Sequence, residues 1–296
     1  MQDNLHDYID ALLKADSFEK AFHVYQEEVV RLGFDGVLYT IIPQAIIQTN
    51  FQIKPVYQVS GGFDANFLSH YWEAEYYKHD PLIDAIQEGL PKTLDWDSDI
   101  ASGFFTRSSA TREVMEVART HGLNHGLTVP LMSDERGLAA ATIVSGSDPA
   151  FQILKQEALA ALEMRTSVFH NLVIASPVYA DAFSKPLIDT FNTKQLGYVL
   201  GLASGLTTED IAFSLGTSVG YLEQSMLKLR RKISGVSEFE PASVNRNEVM
   251  YTAGLLNLLR SDVLETLPAL RKKPGKSEKS ENTDKAVELR DSATNS

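Results

Sequence analysis

The chain has no cysteine among its 296 residues. Disulfide bonds, thiolate metal sites and a cysteine nucleophile are therefore excluded, which agrees with a reducing compartment. The sequence also lacks an apolar run near the roughly 20 residues that a membrane-spanning helix requires. Its first residues, MQDNLHDYID, lack the basic start and apolar stretch of a secretory signal. We expect a soluble, cytoplasmic protein with no membrane partner.

Sequence patterns typical of catalytic and metal sites are scarce as well. His121 and His125 have the spacing of two ligands on one helical face, but Gly122 lies between them and no zincin-type glutamate accompanies them. No serine has the context of a nucleophile elbow, and the glycines form no phosphate-binding pattern. We expect no metal, no cofactor and no enzyme activity. A hydrolase acting on a bound ligand stays a remote alternative.

The acidic charge is distributed unevenly along the chain. Residues 1–184 carry 12 Lys and Arg against 25 Asp and Glu, a net charge of −13. The net charge of the whole chain is −12, so the acidity lies in this first region. Residues 185–260 carry 8 against 7, a net charge of +1, with basic residues clustered at 228–232. Strong negative charge on a protein disfavours binding to nucleic acid. Of the two regions, only the second is therefore suited to DNA binding.

Hydrophobic periodicity predicts a first domain, residues 1–175, that mixes helices with strands. Helical spacing of apolar residues occurs near the start of the chain and over Phe151–Ile174. Strand-like runs and a hairpin are predicted at Val37–Ile42, Ile46–Phe51, Val56–Ser60, Leu127–Met132 and Leu138–Val144. This order predicts an α+β fold, an α/β/α sandwich in which an antiparallel sheet and its helices enclose a ligand pocket.

Three further regions follow the first domain. Residues 176–186 contain two prolines and are interpreted as an irregular linker. Residues 187–260 have only helical patterns, which predicts an all-α domain of four helices. Residues 261–296 are charged and lack aromatic side chains, so we expect a mostly disordered tail.

The second domain contains the order of a helix-turn-helix unit. A short helix is predicted over Glu209–Ser214, a turn at Leu215-Gly216, and a longer helix over Val219–Ile233. In such a unit the second helix enters the major groove of DNA. On spacing alone, a helical bundle used for packing or dimerisation explains the pattern equally well.

Aromatic residues in the first domain surround an aspartate. Tyr71, Trp72 and Tyr76 precede Asp80-Pro81, and Trp96 follows. Aromatic walls beside a carboxylate can hold a small molecule and accept its N–H groups. Spacing alone favours the alternative that these rings belong to the core and that Asp80 is a turn residue.

Both domains resemble one family. In order, the following segments resemble the autoinducer-binding and DNA-binding domains of LuxR-type quorum-sensing transcription regulators: Leu32-Gly33-Phe34, Tyr71, Asp80-Pro81, Trp96, Gly126-Leu127-Thr128-Val129-Pro130-Leu131, then Ala203-Ser204-Gly205-Leu206-Thr207, Asp210-Ile211-Ala212 and Lys232-Ile233-Ser234-Gly235-Val236. The resemblance implies a ligand-responsive regulator whose first domain binds an N-acyl homoserine lactone or a related small molecule. It further implies a homodimer on a palindromic promoter site.

Roles for single residues also follow from the resemblance. Asp80 would accept the amide N–H of the ligand, Tyr71 and Trp96 would line the head-group pocket, and Thr142 would bond an oxidised acyl chain. Gly126 would be structural. The expected DNA contacts are Gln224, Ser225, Lys228, Arg231 and Lys232.

Several positions depart from the family pattern, among them Leu227, where the recognition helix commonly has a basic residue. Phe67 and Phe63 stand where Trp and Tyr usually donate to ligand carbonyls, and each buried carbonyl left unpaired would cost about 1–3 kcal/mol. Glu223 stands where the recognition helix commonly has a basic residue, and Gln195 stands in place of a glutamate. The first domain could therefore bind a different ligand. An alternative function also stays open, in which the protein binds a ligand, sequesters another regulator and binds little DNA.

Overall fold

The chain divides into two compact units, residues 1–190 and 191–296. The structure is a computed structural model that describes residues 5–48, 51–89, 92–101, 108–146, 148–234 and 246–255. No helix within these ranges is long and apolar enough to cross a membrane.

The first unit consists of a sheet with helices before, between and after its strands. Its helices are α1 (Leu5–Lys14), α2 (Phe18–Arg31), α3 (Gln44–Gln48), α4 (Ala65–Glu73), α5 (Pro81–Gln87), α6 (Trp96–Ala101), α7 (Ser109–Thr120), α8 (Asp148–Ala175) and α9 (Pro177–Ile188), with a 3-10 turn at Tyr76–Lys78. Its strands are β1 (Gly36–Pro43), β2 (Tyr57–Val59), β3 (Leu94–Asp95), β4 (His125–Asp134) and β5 (Gly137–Ser145).

The five strands form one antiparallel sheet in the order β2-β1-β5-β4-β3. The predicted hairpin is confirmed, since β4 and β5 pair with Asp134 opposite Gly137. Gly137 has φ 141°, and a Cβ there would lie 2.0 Å from the carbonyl oxygen of Ile42, so the crowded turn requires glycine.

Both faces of the sheet are covered, which makes the unit a three-layer α/β/α sandwich. Successive side chains of a strand point to opposite faces. On β1, Val37, Tyr39 and Ile41 belong to the large core that also includes side chains of α1, α2, α8 and α9. The alternating Thr40 and Ile42 face a cavity instead. The continuous burial of β5 agrees with a strand covered on both faces.

The strand predicted over Ile46–Phe51 is wrong. Residues 44–48 form the short helix α3, and the N–H of Phe51 bonds the carbonyl oxygen of Ile46 at 3.0 Å. Ala45 and Ile46 are buried there. A short apolar run that is buried on all sides has the same pattern as a strand or a helix, so periodicity alone did not separate the two.

The irregular linker predicted over 176–186 is also corrected, because Pro177–Ile188 is the helix α9. Pro177 occupies the first turn, where a missing N–H costs no hydrogen bond. Phe183 is fully buried in the core of the first unit, and the hydroxyl of Tyr179 donates to the carbonyl of Ala15 at 2.6 Å. The segment therefore packs as part of the first unit, and the units divide after Thr190.

Every element described in the second unit is helical: α10 (Thr193–Ala203), α11 (Thr208–Ser214), α12 (Val219–Ser234) and α13 (Arg246–Leu255). Thr207 caps α11 by accepting the N–H of Asp210 at 3.2 Å, and Gly216, with φ 58°, follows the C-terminus of that helix. Ser218 accepts the N–H of Tyr221 at the start of α12. The predicted tail, 261–296, lies outside the described residues.

Candidate functional site

The first unit encloses a cavity between one face of its sheet and the helices α4, α5 and α7. Its volume is about 100 Å³, somewhat below the roughly 150 Å³ of an engineered cavity that holds benzene. Its lining is mostly apolar, and the polar residues in it are Thr40, Tyr57, Tyr71, Asp80, Trp96, Thr128 and Thr142. An apolar cavity with a few convergent polar groups is typical of a small-molecule site.

The structure brings all six predicted ligand-binding residues to this one cavity. They are Phe63, Phe67, Tyr71, Asp80, Trp96 and Thr142. They come from α4, the start of α5, the β3–α6 junction, β5 and the segment that precedes α4. Their contact with a ligand stays a prediction, but their convergence from distant parts of the sequence gives that prediction a geometric basis.

Asp80 is the buried acceptor of the cavity. It is the N-cap of α5, where its Oδ1 accepts the N–H of Leu82 at 2.8 Å, and its Oδ2 accepts the hydroxyl of Tyr71 at 2.6 Å. Burial raises the pKa of the carboxyl, and these hydrogen bonds oppose the rise. A carboxylate has about four lone-pair positions, so Asp80 can cap the helix and still accept a further N–H.

Trp96 belongs to a line of three polar side chains across the sheet. Its indole N–H donates to the hydroxyl of Thr128 at 3.1 Å, and that hydroxyl lies 3.1 Å from the hydroxyl of Thr142. Trp96 therefore lines the cavity, but its indole N–H is already bonded to Thr128. Gly126 accommodates the indole, because a Cβ there would lie 2.7 Å from two ring carbons. This agrees with the structural role expected of Gly126.

Tyr57 and Thr128 line the cavity as well, although no sequence pattern had indicated them. Both lie on strands, where alternate side chains face the same side, but only the sheet register shows which side that is. The hydroxyl of Tyr57 is buried and has no hydrogen-bond partner among the described residues. Burial raises the pKa of this hydroxyl, and the negative charge of Asp80 raises it further.

The two histidines considered as metal ligands pair with separate carboxylates. His121 Nδ1 lies 2.9 Å from Asp64 Oδ2, and His125 Nδ1 lies 2.9 Å from Asp97 Oδ2. In the described part of the chain, no three His, Cys, Asp or Glu side chains are grouped so that they could hold a metal ion.

The expected DNA contacts on α12 divide by exposure. Gln224 and Lys228 are exposed, whereas Ser225 is only 7% exposed. The carbonyl oxygen of Ser225 accepts a hydrogen bond from Gln195 Nε2 at 3.3 Å. Ser225 is therefore largely buried in the second unit, and its contact with DNA stays a prediction.

The remaining basic residues are less clearly placed. Arg231 is half-buried, and the side chain of Lys232 lies outside the described residues. Glu223 is exposed beside Gln224. Lys194 places a further cation near the start of α12, where its Nζ lies 4.4 Å from the centre of the Tyr221 ring; no sequence pattern had indicated it.

The position of Gln195 explains one departure from the family pattern. Its backbone N–H and side chain exchange hydrogen bonds with Asn192 in a capping box at the start of α10. Its remaining amide N–H donates across to α12 at Ser225. A glutamate could accept at the cap but could not donate to that carbonyl.

Taken together, the fold and the cavity define a small-molecule-sensing domain. The profile of the autoinducer-binding domain family matches residues 17–173. The chain therefore belongs to the autoinducer-binding domain family, which confirms its resemblance to LuxR-type quorum-sensing regulators.

Solved structures resemble the chain at low identity. Escherichia coli SdiA is 18% identical, with a TM-score of 0.52, over 88% of this chain and 100% of that one. CepR2 of Burkholderia cenocepacia, an N-acylhomoserine-lactone-dependent LuxR-family transcription factor, is 20% identical, with a TM-score of 0.43, over 60% of this chain and 95% of that one. The first likeness shows a shared fold. A comparison with curated protein sequences gives no significant match.

Proposed function

We propose that this protein is a ligand-responsive transcription regulator that acts as a cytoplasmic homodimer. Its first unit binds an acyl-homoserine-lactone-like signal with an amide head group and an apolar chain. Its second unit binds a palindromic promoter site through α11 and α12, which form a helix-turn-helix. The protein senses its ligand without converting it.

One observation carries the ligand half of the proposal: the carboxylate of Asp80 is buried at the wall of an apolar cavity. A buried carboxylate is unfavourable unless it is hydrogen-bonded. Tyr71 and Leu82 are among its donors, and a ligand N–H would supply a further one. The apolar lining of the remaining cavity suits an acyl chain in its chemistry, and a chain of several carbons requires the cavity of about 100 Å³ to widen on binding.

Thermal unfolding of the full chain tests this half. A ligand that binds only the folded state raises the unfolding temperature as its concentration rises. N-acyl homoserine lactones of increasing chain length should stabilise the protein, and free fatty acids of matched length, which lack the N–H, should do so less. Equal shifts of the unfolding temperature by both series would show that Asp80 does not accept a hydrogen bond from an amide N–H of the ligand.

The DNA half rests on the order and exposure of α11 and α12. A seven-residue helix, a tight turn at Gly216 and a longer helix match the helix-turn-helix arrangement. Gln224 and Lys228 lie exposed on α12, where they would reach a base edge and a phosphate. Selection of duplexes from a random pool should enrich a palindrome, since the two recognition helices of a dimer read related half-sites.

Glu223 favours a second candidate function. Its carboxylate is exposed next to Gln224 and would repel DNA phosphates. A protein that binds the signal and sequesters another regulator needs no DNA affinity. This function predicts that no duplex is retarded at about 50 mM salt, where phosphate contacts are strongest, and that the protein forms mixed dimers with the regulator it inhibits.

A further inference from the structure

The cavity contains a hydrogen-bond donor that the folded protein itself does not use. The hydroxyl of Tyr57 is buried and unpaired among the described residues. Buried polar groups are nearly always hydrogen-bonded, because leaving one unpaired costs about 1–3 kcal/mol. An unpaired hydroxyl that lines a ligand cavity is therefore a position where a bound molecule can complete the bonding.

The neighbouring polar groups are each occupied by another partner. Thr40 stands opposite Tyr57 in the β1–β2 register, but its hydroxyl donates to the carbonyl of Val56 at 2.7 Å. The hydroxyl of Tyr71 donates to Asp80, and the N–H of Trp96 donates to Thr128. Tyr57 alone among these four residues has a donor left over.

Two phenylalanines that line the same cavity offer no hydrogen-bond donor to a ligand. Phe63 and Phe67 have no polar hydrogen, so neither can donate to a ligand carbonyl. Tyr57 and Asp80 both line the cavity, and the carboxylate of Asp80 raises the pKa of the Tyr57 hydroxyl. The cavity thus presents a donor, Tyr57, and an acceptor, Asp80.

We propose that Tyr57 binds the ligand by donating its hydroxyl hydrogen to an acceptor oxygen of the head group, next to the N–H that Asp80 accepts. The ligand class is then a molecule with an N–H and a carbonyl in one small head group, such as a secondary amide. The donor to the carbonyl then lies on the edge strand β2, instead of at positions 63 and 67, where the family resemblance implies Tyr and Trp. This inference rests on the proposed function and names the residue that reads the carbonyl.

The first test uses the ligand-free full chain. Tyr57→Phe removes only the hydroxyl, so the unfolding temperature should stay the same or rise, because an unpaired buried group is lost. Tyr76→Phe is the matched control, since the Tyr76 hydroxyl lies 3.4 Å from Glu113 and outside the cavity lining. A clear fall for Tyr57→Phe alone would show that the hydroxyl is bonded within the free protein and would overturn the inference.

The second test is calorimetric titration with N-octanoyl homoserine lactone and with its ester analogue, in which oxygen replaces the amide N–H. Tyr57→Phe should weaken both probes by about 10-fold, because both retain the carbonyl. Asp80→Asn should weaken the amide much more than the ester. Tyr76→Phe should change neither.

The outcomes separate the two levels of the proposal. If the wild type binds the amide and Tyr57→Phe binds it equally well, the role of Tyr57 is refuted and the proposed function stands. If the wild type binds neither probe at millimolar concentration, the proposed function fails for amide ligands, and the inference about Tyr57 fails with it.

Discussion

Replacement of Asp80 by asparagine isolates its binding role from its structural one. Asparagine is as good an N-cap as aspartate, so its oxygen can keep the 2.8 Å bond from Leu82. The hydroxyl of Tyr71 can reverse and accept from the new amide group. The cap and the contact with Tyr71 therefore survive, and only the charge and one acceptor position are lost.

The expected loss follows from the chemistry of that acceptor. A hydrogen bond to a charged group contributes about 1.5–3 kcal/mol. A value near 2 kcal/mol corresponds to a loss of roughly 30-fold in affinity for an amide ligand. Without ligand, Asp80→Asn should be as stable as the wild type or more so at neutral pH. The raised pKa of Asp80 means that stability falls as pH rises from below 3.8 through the folded-state pKa, and asparagine removes that cost.

The assay is calorimetric titration with an N-acyl homoserine lactone, paired with urea unfolding of the ligand-free protein. Asp97→Asn is the control, since Asp97 contacts His125 and does not line the cavity. Unchanged affinity in Asp80→Asn, with the fold intact, would refute the reasoning. A fall in ligand-free stability with no change in affinity would give the charge of Asp80 a structural role and no role in binding.

Three further predictions concern separate parts of the chain. Phe67→Trp should restore an N–H donor to the cavity and raise N-acyl homoserine lactone affinity about 10-fold by calorimetry; no gain would mean that the lactone carbonyl does not face α4. Burial lowers the pKa of His170 from 6.5 to about 4, so urea unfolding should show full stability above pH 6.5 and a loss of up to about 3 kcal/mol as pH falls to 4. His170→Gln should flatten that decline, and an unchanged pH profile would contradict the cause. In DNA anisotropy, Lys228→Ala should reduce the salt slope by about 2 for a dimer, and Glu223→Lys should strengthen binding to any duplex; no effect of either favours the sequestering function.

Local sequence patterns predicted the elements that have a long apolar periodicity or clear turn and cap residues at their ends. The hairpin of β4 and β5 has two mostly apolar runs around a polar turn, and Phe151–Ile174 has enough helical periods to identify α8. The helices α11 and α12 are preceded by Thr207 and Ser218, residue types that favour helix caps, and the structure contains both caps. In each case the deciding interactions lie within a few residues of one another.

The failures have the opposite origin, because long-range packing decided them. Residues 176–186 contain two prolines, yet burial of Phe183 in the core of the first unit stabilises a helix there. Ser225 lies on the expected recognition helix, yet it is buried in the second unit, which no local pattern indicated.

The candidate site divides in the same way. Asp80, Tyr71 and Trp96 were identified by the resemblance to LuxR-type regulators, and the fold brings them to one cavity. Tyr57 had no such signal, since one tyrosine in a short strand is unremarkable until the register of β2 places it opposite Thr40. Its unpaired hydroxyl is a property of the packed structure, which no local pattern encodes.

Native mass spectrometry of the purified full chain tests the central claim most directly. The account predicts that incubation with N-acyl homoserine lactones adds the mass of one ligand per chain, and that Asp80→Asn lowers the bound fraction while Asp97→Asn does not. Wild-type protein that stays folded and gains no ligand mass across the whole series of chain lengths would contradict the claim that this domain senses an amide signal.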